Sequence, residues 1–428
     1  MSYTYITETD AETELSRRLQ DTAFIQWTQA ELALYLAEAI RVWNALTEVA
    51  QDSMTFSLVA GTNWYDLSTQ SGTVVGMTIT DYNLVSEIEY HLLEPQATTT
   101  WIGSAQYGIA QIFSTLQNVR DEVLGLTGCV LTVSTISGGT STRITLPDTT
   151  LAVRRVRCIP VSTYSSVVLT EATEASKYHF NPGYLTNATI PQNYILPSGA
   201  PLYFDVDSTP PVSCSYEVVL VKSGAALTAG DTGVALGLPN DWAWVVKYGA
   251  LARLWAKEGS SKDPLRQAYA QRRYDEGIKL LADRKIITAA TINSVASYVD
   301  SVHNGDRFCS SWQGTGVPAG VYVMGNNLVG ISSPATGSYS INLSLVANST
   351  TGGTYLQISR DDYYTILDYA QHIAMLKTGG AAFVATTPFY DEFVKKAKLR
   401  NSKLIDSLAV DESDHNALYK TDRPSDIL

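Results

Sequence analysis

Apolar positions along this chain follow two periods that alternate by segment. Between Thr28 and Leu46, the residues Leu32, Leu34, Tyr35, Leu36, Ile40, Val42, Trp43 and Leu46 recur at near-helical spacing, with Glu31, Glu38 and Arg41 opposite. Thr9 and Asp10 cap an earlier helix from Glu12 to Leu19. Residues 1–50 therefore read as an N-terminal helical hairpin. Its apolar stripe needs cover from helices later in the chain.

From Met54 the period shortens to two. Thr55 to Val59 and Trp64 to Leu67, around Gly61-Thr62-Asn63, read as a β-hairpin. Further strands are expected over 73–80, 86–93, 129–135, 141–146, 151–159, 166–169 and 216–221, with one helix over 109–124. Residues 51–235 are thus a β-rich inserted domain, with loops at Asn181-Pro182-Gly183 and Ser208 to Pro211. At Leu238-Pro239-Asn240-Asp241 the helical period returns, and Val245, Tyr248, Gly249, Ala252 and Trp255 share one face. Residues 236–288 read as a helical hairpin packing on the N-terminal one, with Leu36, Ile40 and Trp43 against Val245, Tyr248 and Ala252 as a mutual core.

Residues 289–360 return to short strands, over 320–324, 339–346 and 355–359, as a second β-rich segment. Residues 361–410 then repeat a helical hairpin. Asp241 to Gly249 and Asp362 to Ala370 match in residue class at an offset of 121, which Tyr269 and Tyr390 keep. Residues 411–428 form a polar C-terminal tail without an apolar face, which reads as a disordered tail by default or as a segment that becomes ordered against a partner. The fold class is α+β: a helical-hairpin core with a large inserted β-rich domain and a second β-rich segment.

Charge narrows the function. With 42 acidic against 30 basic residues the net charge is −12, which lacks the cationic footprint of a tight nucleic-acid or anionic-membrane binder. The start, Met1 to Tyr5 followed by acidic residues, has no basic and apolar leader pattern, and no apolar run approaches ~18 residues, so neither a secretion signal nor a membrane span is expected. Cys129, Cys158, Cys214 and Cys309 form no C-x-x-C pair and read as buried free thiols.

Candidate chemistry is thin. No phosphate loop, dinucleotide fingerprint, nucleophile elbow or zinc-protease motif occurs, and Gly314-Thr315-Gly316 reads as a turn. Glu87, Glu89 and His91, with Glu94 nearby, would share a face of a strand and suit a metal, but a solvated edge is the simpler reading. Asp205 and Asp207 read as turn residues. No catalytic residue, cofactor or metal is therefore expected. Trp242, Trp244 and Trp255 sit at core spacing, whereas Trp101 and Tyr107 leave a sugar-stacking platform open. The basic clusters Lys395 to Arg400 and Gln271 to Arg273 read as solvated helix faces, or as contacts to an acidic neighbouring subunit.

The order of helix pair, β-rich insertion and Leu238-Pro239-Asn240-Asp241 hairpin resembles the head-to-tail adaptor, or neck, proteins of tailed bacteriophages. The resemblance is carried by Trp27 to Arg41, by Leu238 to Leu254, and by Asp263-Pro264 before Tyr269 and Tyr274, about a quarter of the chain. The extensive β-structure and the repeated hairpin depart from compact adaptors. The resemblance implies a non-enzymatic virion protein, assembled in the host cytoplasm into a ring, usually twelvefold, beneath the portal protein. The ring continues the channel for genomic DNA, which passes without sequence-specific binding, and no membrane is involved. It also implies a C-terminal segment that reaches the portal, here Asp411, His415, Leu418, Tyr419, Pro424 and Leu428, and β-domains that hold tail or fibre proteins. The alternative from composition is a glycan-binding tail or fibre component built on the Tyr- and Ser/Thr-rich segments.

Overall fold

The computed structural model describes residues 6–401 apart from 71–75, 94–106, 162–163, 177–182, 184–185, 198–201, 228–232, 258–261, 309–311, 335–337, 350–355 and 357. The polar tail and Cys309 lie outside the described residues. The chain divides into two compact units, one of residues 1–48 with 351–428 and one of residues 49–350.

The first unit is helical. Its elements are α1 (Glu8–Arg18), α2 (Gln29–Thr47), α8 (Arg360–Thr378), the short α9 (Gly380–Val384) and α10 (Thr387–Arg400). Thr7, Thr28 and Ser359 cap α1, α2 and α8 by accepting backbone N–H groups three residues on. Between α1 and α2 the Asp21 carboxylate accepts the backbone N–H groups of Ile25, Gln26 and Trp27 at 2.8–2.9 Å, bonds that hold its pKa below the ordinary aspartate value. The stripe of α2 is covered by α8 and α10. Trp43 meets Phe393 at 5.2 Å between ring centroids, and Phe393 stacks on Tyr369 at 4.4 Å.

The second unit holds α3 (Asp81–Leu92), α4 (Ile109–Thr127), α5 (Ala243–Trp255), α6 (Pro264–Asp283), the short α7 (Val302–Phe308) and the strands. The face of α5 that carries Val245, Tyr248 and Ala252 is buried, and α5 packs on α3, α4 and α6. The cover that sequence reading assigned to the other hairpin is thus supplied inside each unit. Helical spacing shows that a stripe must be buried, but does not choose among several helices able to bury it.

Segment 86–93, expected as a strand, belongs to α3. Thr80 and Asn83 form a reciprocal capping box that starts this helix, and Leu84, Val85, Ile88 and Leu92 are its buried stripe. Alternation at Ile88, Tyr90 and Leu92 fits both periods, and the cap decides between them.

One seven-stranded sheet comprises β1 (Gln51–Leu58), β2 (Trp64–Asp66), β10 (Ile287–Ile292), β11 (Val295–Ser301), β13 (Gly320–Met324), β14 (Leu328–Ile331) and β16 (Tyr339–Val346). The other comprises β3 (Thr132–Gly139), β4 (Arg143–Thr145), β5 (Thr150–Pro160), β6 (Val167–Glu171), β7 (Asn193–Ile195), β8 (Tyr203–Val206) and β9 (Cys214–Lys222). A two-residue pair joins β12 (Thr315–Gly316) to β15 (Ser333–Pro334). β1 and β2, expected as a hairpin, do not pair. They stand at opposite ends of their sheet, on β16 and β14, so the short turn between them curls the sheet back on itself. A turn motif between two strands predicts adjacency in sequence, which a curled sheet satisfies without hydrogen-bonding them to each other.

The two sheets share one topology. Their orders are β1-β16-β10-β11-β13-β14-β2 and β3-β9-β5-β6-β7-β8-β4, and the single parallel pair, β11 with β13 or β6 with β7, falls at the same place in each. The flanking helices repeat as well. α2 and α4 are both 19 residues long, each ends on a left-handed residue, Glu48 or Gly128, and each places a threonine hydroxyl 2.7 Å from a carbonyl one turn back. At an offset of 80, Leu32, Leu36 and Trp43 match the equally buried Ile112, Leu116 and Val123. In chain order, a helix pair, seven strands and a helix pair therefore occur twice, the second copy inserted between β2 and β10 of the first.

Candidate functional site

Several charged side chains are buried and bound into the fold. Lys247 of α5 is fully buried with its Nζ 3.1 Å from the Glu87 carboxylate of α3. Burial, and then the neighbouring Arg273 guanidinium, pull the lysine pKa well below its ordinary value. Arg273 of α6 is buried too, 2.8 Å from Glu276 and over the rings of Trp244 and Tyr248. Arg120 of α4 pairs with Asp121 and donates to the carbonyls of Ala225 and Gly224 at 2.6 and 3.2 Å.

The residues weighed for metal binding take other places in the fold. Glu87, Glu89 and His91 lie on a helix rather than a strand face, and all three are buried. Asp205 makes a two-pronged pair with Arg143 at 2.8 and 2.9 Å, while Asp207 accepts from the Gln192 backbone and the Asn193 side chain. Among the described residues no group of three His, Cys, Asp or Glu side chains is placed to hold a metal ion. Cys129, Cys158 and Cys214 are buried free thiols, and burial pushes Cys129 up to about 11 and Cys158 up to about 12.

The two basic clusters are committed locally. Lys396 reaches the Thr365 hydroxyl at 3.0 Å and Arg400 the Asp362 carboxylate at 2.8 Å, both within the helical unit. Arg272 lies 3.8 Å from Glu276. Trp242, Trp244 and Trp255 are buried core, as is Tyr107, while Trp101 lies outside the described residues.

A different basic feature emerges in the second unit. Arg155 of β5 grips Asp306 of α7 at 2.6 and 2.8 Å, Glu217 of β9 at 3.0 Å and Gln313 at 2.7 Å, between the rings of Trp64 and Trp312. This latch ties the two sheets together. Beside it a cavity of about 480 Å³ opens where the ends of α4 and α6 meet β10, β11 and β13, with Arg154, Lys285, Asp300 and Met324 on its walls. A second cavity of about 390 Å³ shares Arg154 and Met324 and adds Asp306 and Arg307. The two cavities adjoin through these shared residues and are called the trough below. Sequence reading missed it, although the adjacent pairs Arg154-Arg155 and Arg284-Lys285 were its signal.

Helical hairpins, two curled sheets and buried ion pairs make up the described fold. Residues 77–296, just over half of the chain, match the family model of the SU10 adaptor protein, and the chain belongs to that family. It is thereby a phage structural protein of adaptor type. The matched residues contain the whole inner copy of the repeated topology, from α3 through α6. Among curated proteins none matches the chain. Among the described residues no helix is long and apolar enough to cross a membrane.

Proposed function

We propose that the chain is a head-to-tail adaptor: a homo-oligomeric ring beneath the portal protein that continues the DNA channel into the tail. Membership of the adaptor family carries this reading. Two physical features support it. Buried ion pairs and aromatic stacks lock the helices within each unit, and the ordered faces this gives suit repeated contacts around a closed ring. The net charge of −12 suits a channel wall along which DNA phosphates slide without being held. The curled sheets then offer attachment surface for tail or fibre proteins.

The reading is tested by imaging the purified chain alone and mixed with its portal protein. Closed rings that cap the portal are expected. Trimers or spikes that ignore the portal would instead assign the chain to a fibre.

A further inference from the structure

We propose that the basic trough of the second unit receives the acidic C-terminal segment, residues 411–428, of a second copy of the chain. Arg154, Lys285 and Arg307 on its walls are exposed, and among the described residues no carboxylate pairs with any of them. Arg154 instead donates to the last carbonyls of α4, Gly125 at 2.7 Å and Leu126 at 3.2 Å. Of the wall carboxylates, Asp306 is held by Arg155 and by the Trp312 indole N–H, Asp300 accepts from the neutral Asn304 amide at 2.8 Å, and exposed Glu171 accepts from the Tyr194 hydroxyl at 3.4 Å. The walls therefore carry more cations, Arg154, Arg155, Arg284, Lys285 and Arg307, than carboxylates, Asp300, Asp306 and Glu171, in a chain whose acidic residues outnumber its basic ones by 42 to 30. Half-buried Val299, Val323 and Met324 supply apolar surface beneath those cations.

The C-terminal segment has the complementary order. Asp411, Glu412, Asp414, Asp422 and Asp426 face two basic residues, Lys420 and Arg423, and the acidic run leads into Ala417, Leu418 and Tyr419. Carboxylates would meet the cations, and Leu418 with Tyr419 the apolar floor. Residues 402–428 follow the last described residue, a length of 27 residues. Extended at ~3.3 Å per residue they span up to about 90 Å. A contact of this kind weakens with salt, and its repetition around a ring multiplies its strength.

The inference rests on the self-association proposed above, and the test separates the two. Full-length chain with Thr288→p-benzoylphenylalanine, at an exposed position on the trough wall, is prepared in ordinary and nitrogen-15 forms, mixed in equal parts and irradiated. Cross-links from position 288 to residues 411–428 are expected, about half of them joining a light to a heavy copy. Adding Arg307→Glu should lower their yield several-fold, with an unchanged circular dichroism spectrum as the check on folding. Rings without such cross-links, or cross-links confined to one copy, would overturn the docking while leaving the adaptor reading standing. Absence of rings would remove both.

Discussion

Tyr369 and Tyr390 lie with ring centroids 6.0 Å apart, and the residues 121 positions before them, Tyr248 and Tyr269, lie 5.9 Å apart. Each pair joins the first helix of a hairpin to the second, so the sequence offset corresponds to a shared packing lock. Tyr369→Ala should destabilise the chain by about 3–5 kcal/mol, as truncation of a fully buried aromatic does, with Tyr248→Ala in the same range. Chemical denaturation of the two variants measures both.

The repeat also predicts where the copies cannot be exchanged. Gly249 occupies the position equivalent to Ala370, but a Cβ there would sit 2.6 Å from Val119 and 2.7 Å from Tyr274. Gly249→Ala should therefore cost about 1–3 kcal/mol through overpacking, although alanine is the better helix former. Ala370→Gly should cost about 0.5–1 kcal/mol through backbone entropy.

The ion pair of Lys247 and Glu87 should behave as a unit. Lys247→Met leaves a carboxylate buried without its cation and should cost about 3–5 kcal/mol, whereas the double variant with Glu87→Leu should recover most of that loss. A double-mutant cycle in urea reads the coupling, and simple additivity would argue against the pair.

Alkaline pH should destabilise the chain in a defined window. The Cys129 thiol rises from an ordinary 9.0 to about 11 on burial, so the native state keeps a proton that the unfolded state releases. The associated stability is fully present below about 9 and is lost as pH rises towards about 11. Burial moves Tyr269 in the same direction, from 10.0 to about 12. Melting temperature followed from pH 8 upward should fall through this range, and Cys129→Ala should flatten its lower part.

Sequence patterning located the helical hairpins because their stripes are long and their caps explicit, as at Thr28 and at Asp263, which accepts the Arg266 N–H. It failed at α3, where one short amphipathic run satisfies both periods. It also paired β1 with β2, since local turn chemistry carries no information about β14 or β16, more than 200 residues away. Of the repeat, only the hairpin stage was visible, at the offset of 121. The sheets conserve strand order while their lengths and loops diverge, so their kinship appears in pairing and not in residue spacing. The trough escaped for a similar reason: Arg154, Lys285 and Arg307 are far apart in sequence and are gathered by the fold alone.

The adaptor reading is most directly tested by locating the chain in intact virions, with a small tag on an exposed turn imaged by electron cryomicroscopy. Label in a closed ring between portal and tail is the predicted result. Label confined to fibre tips, or spread along the tail tube, would contradict it.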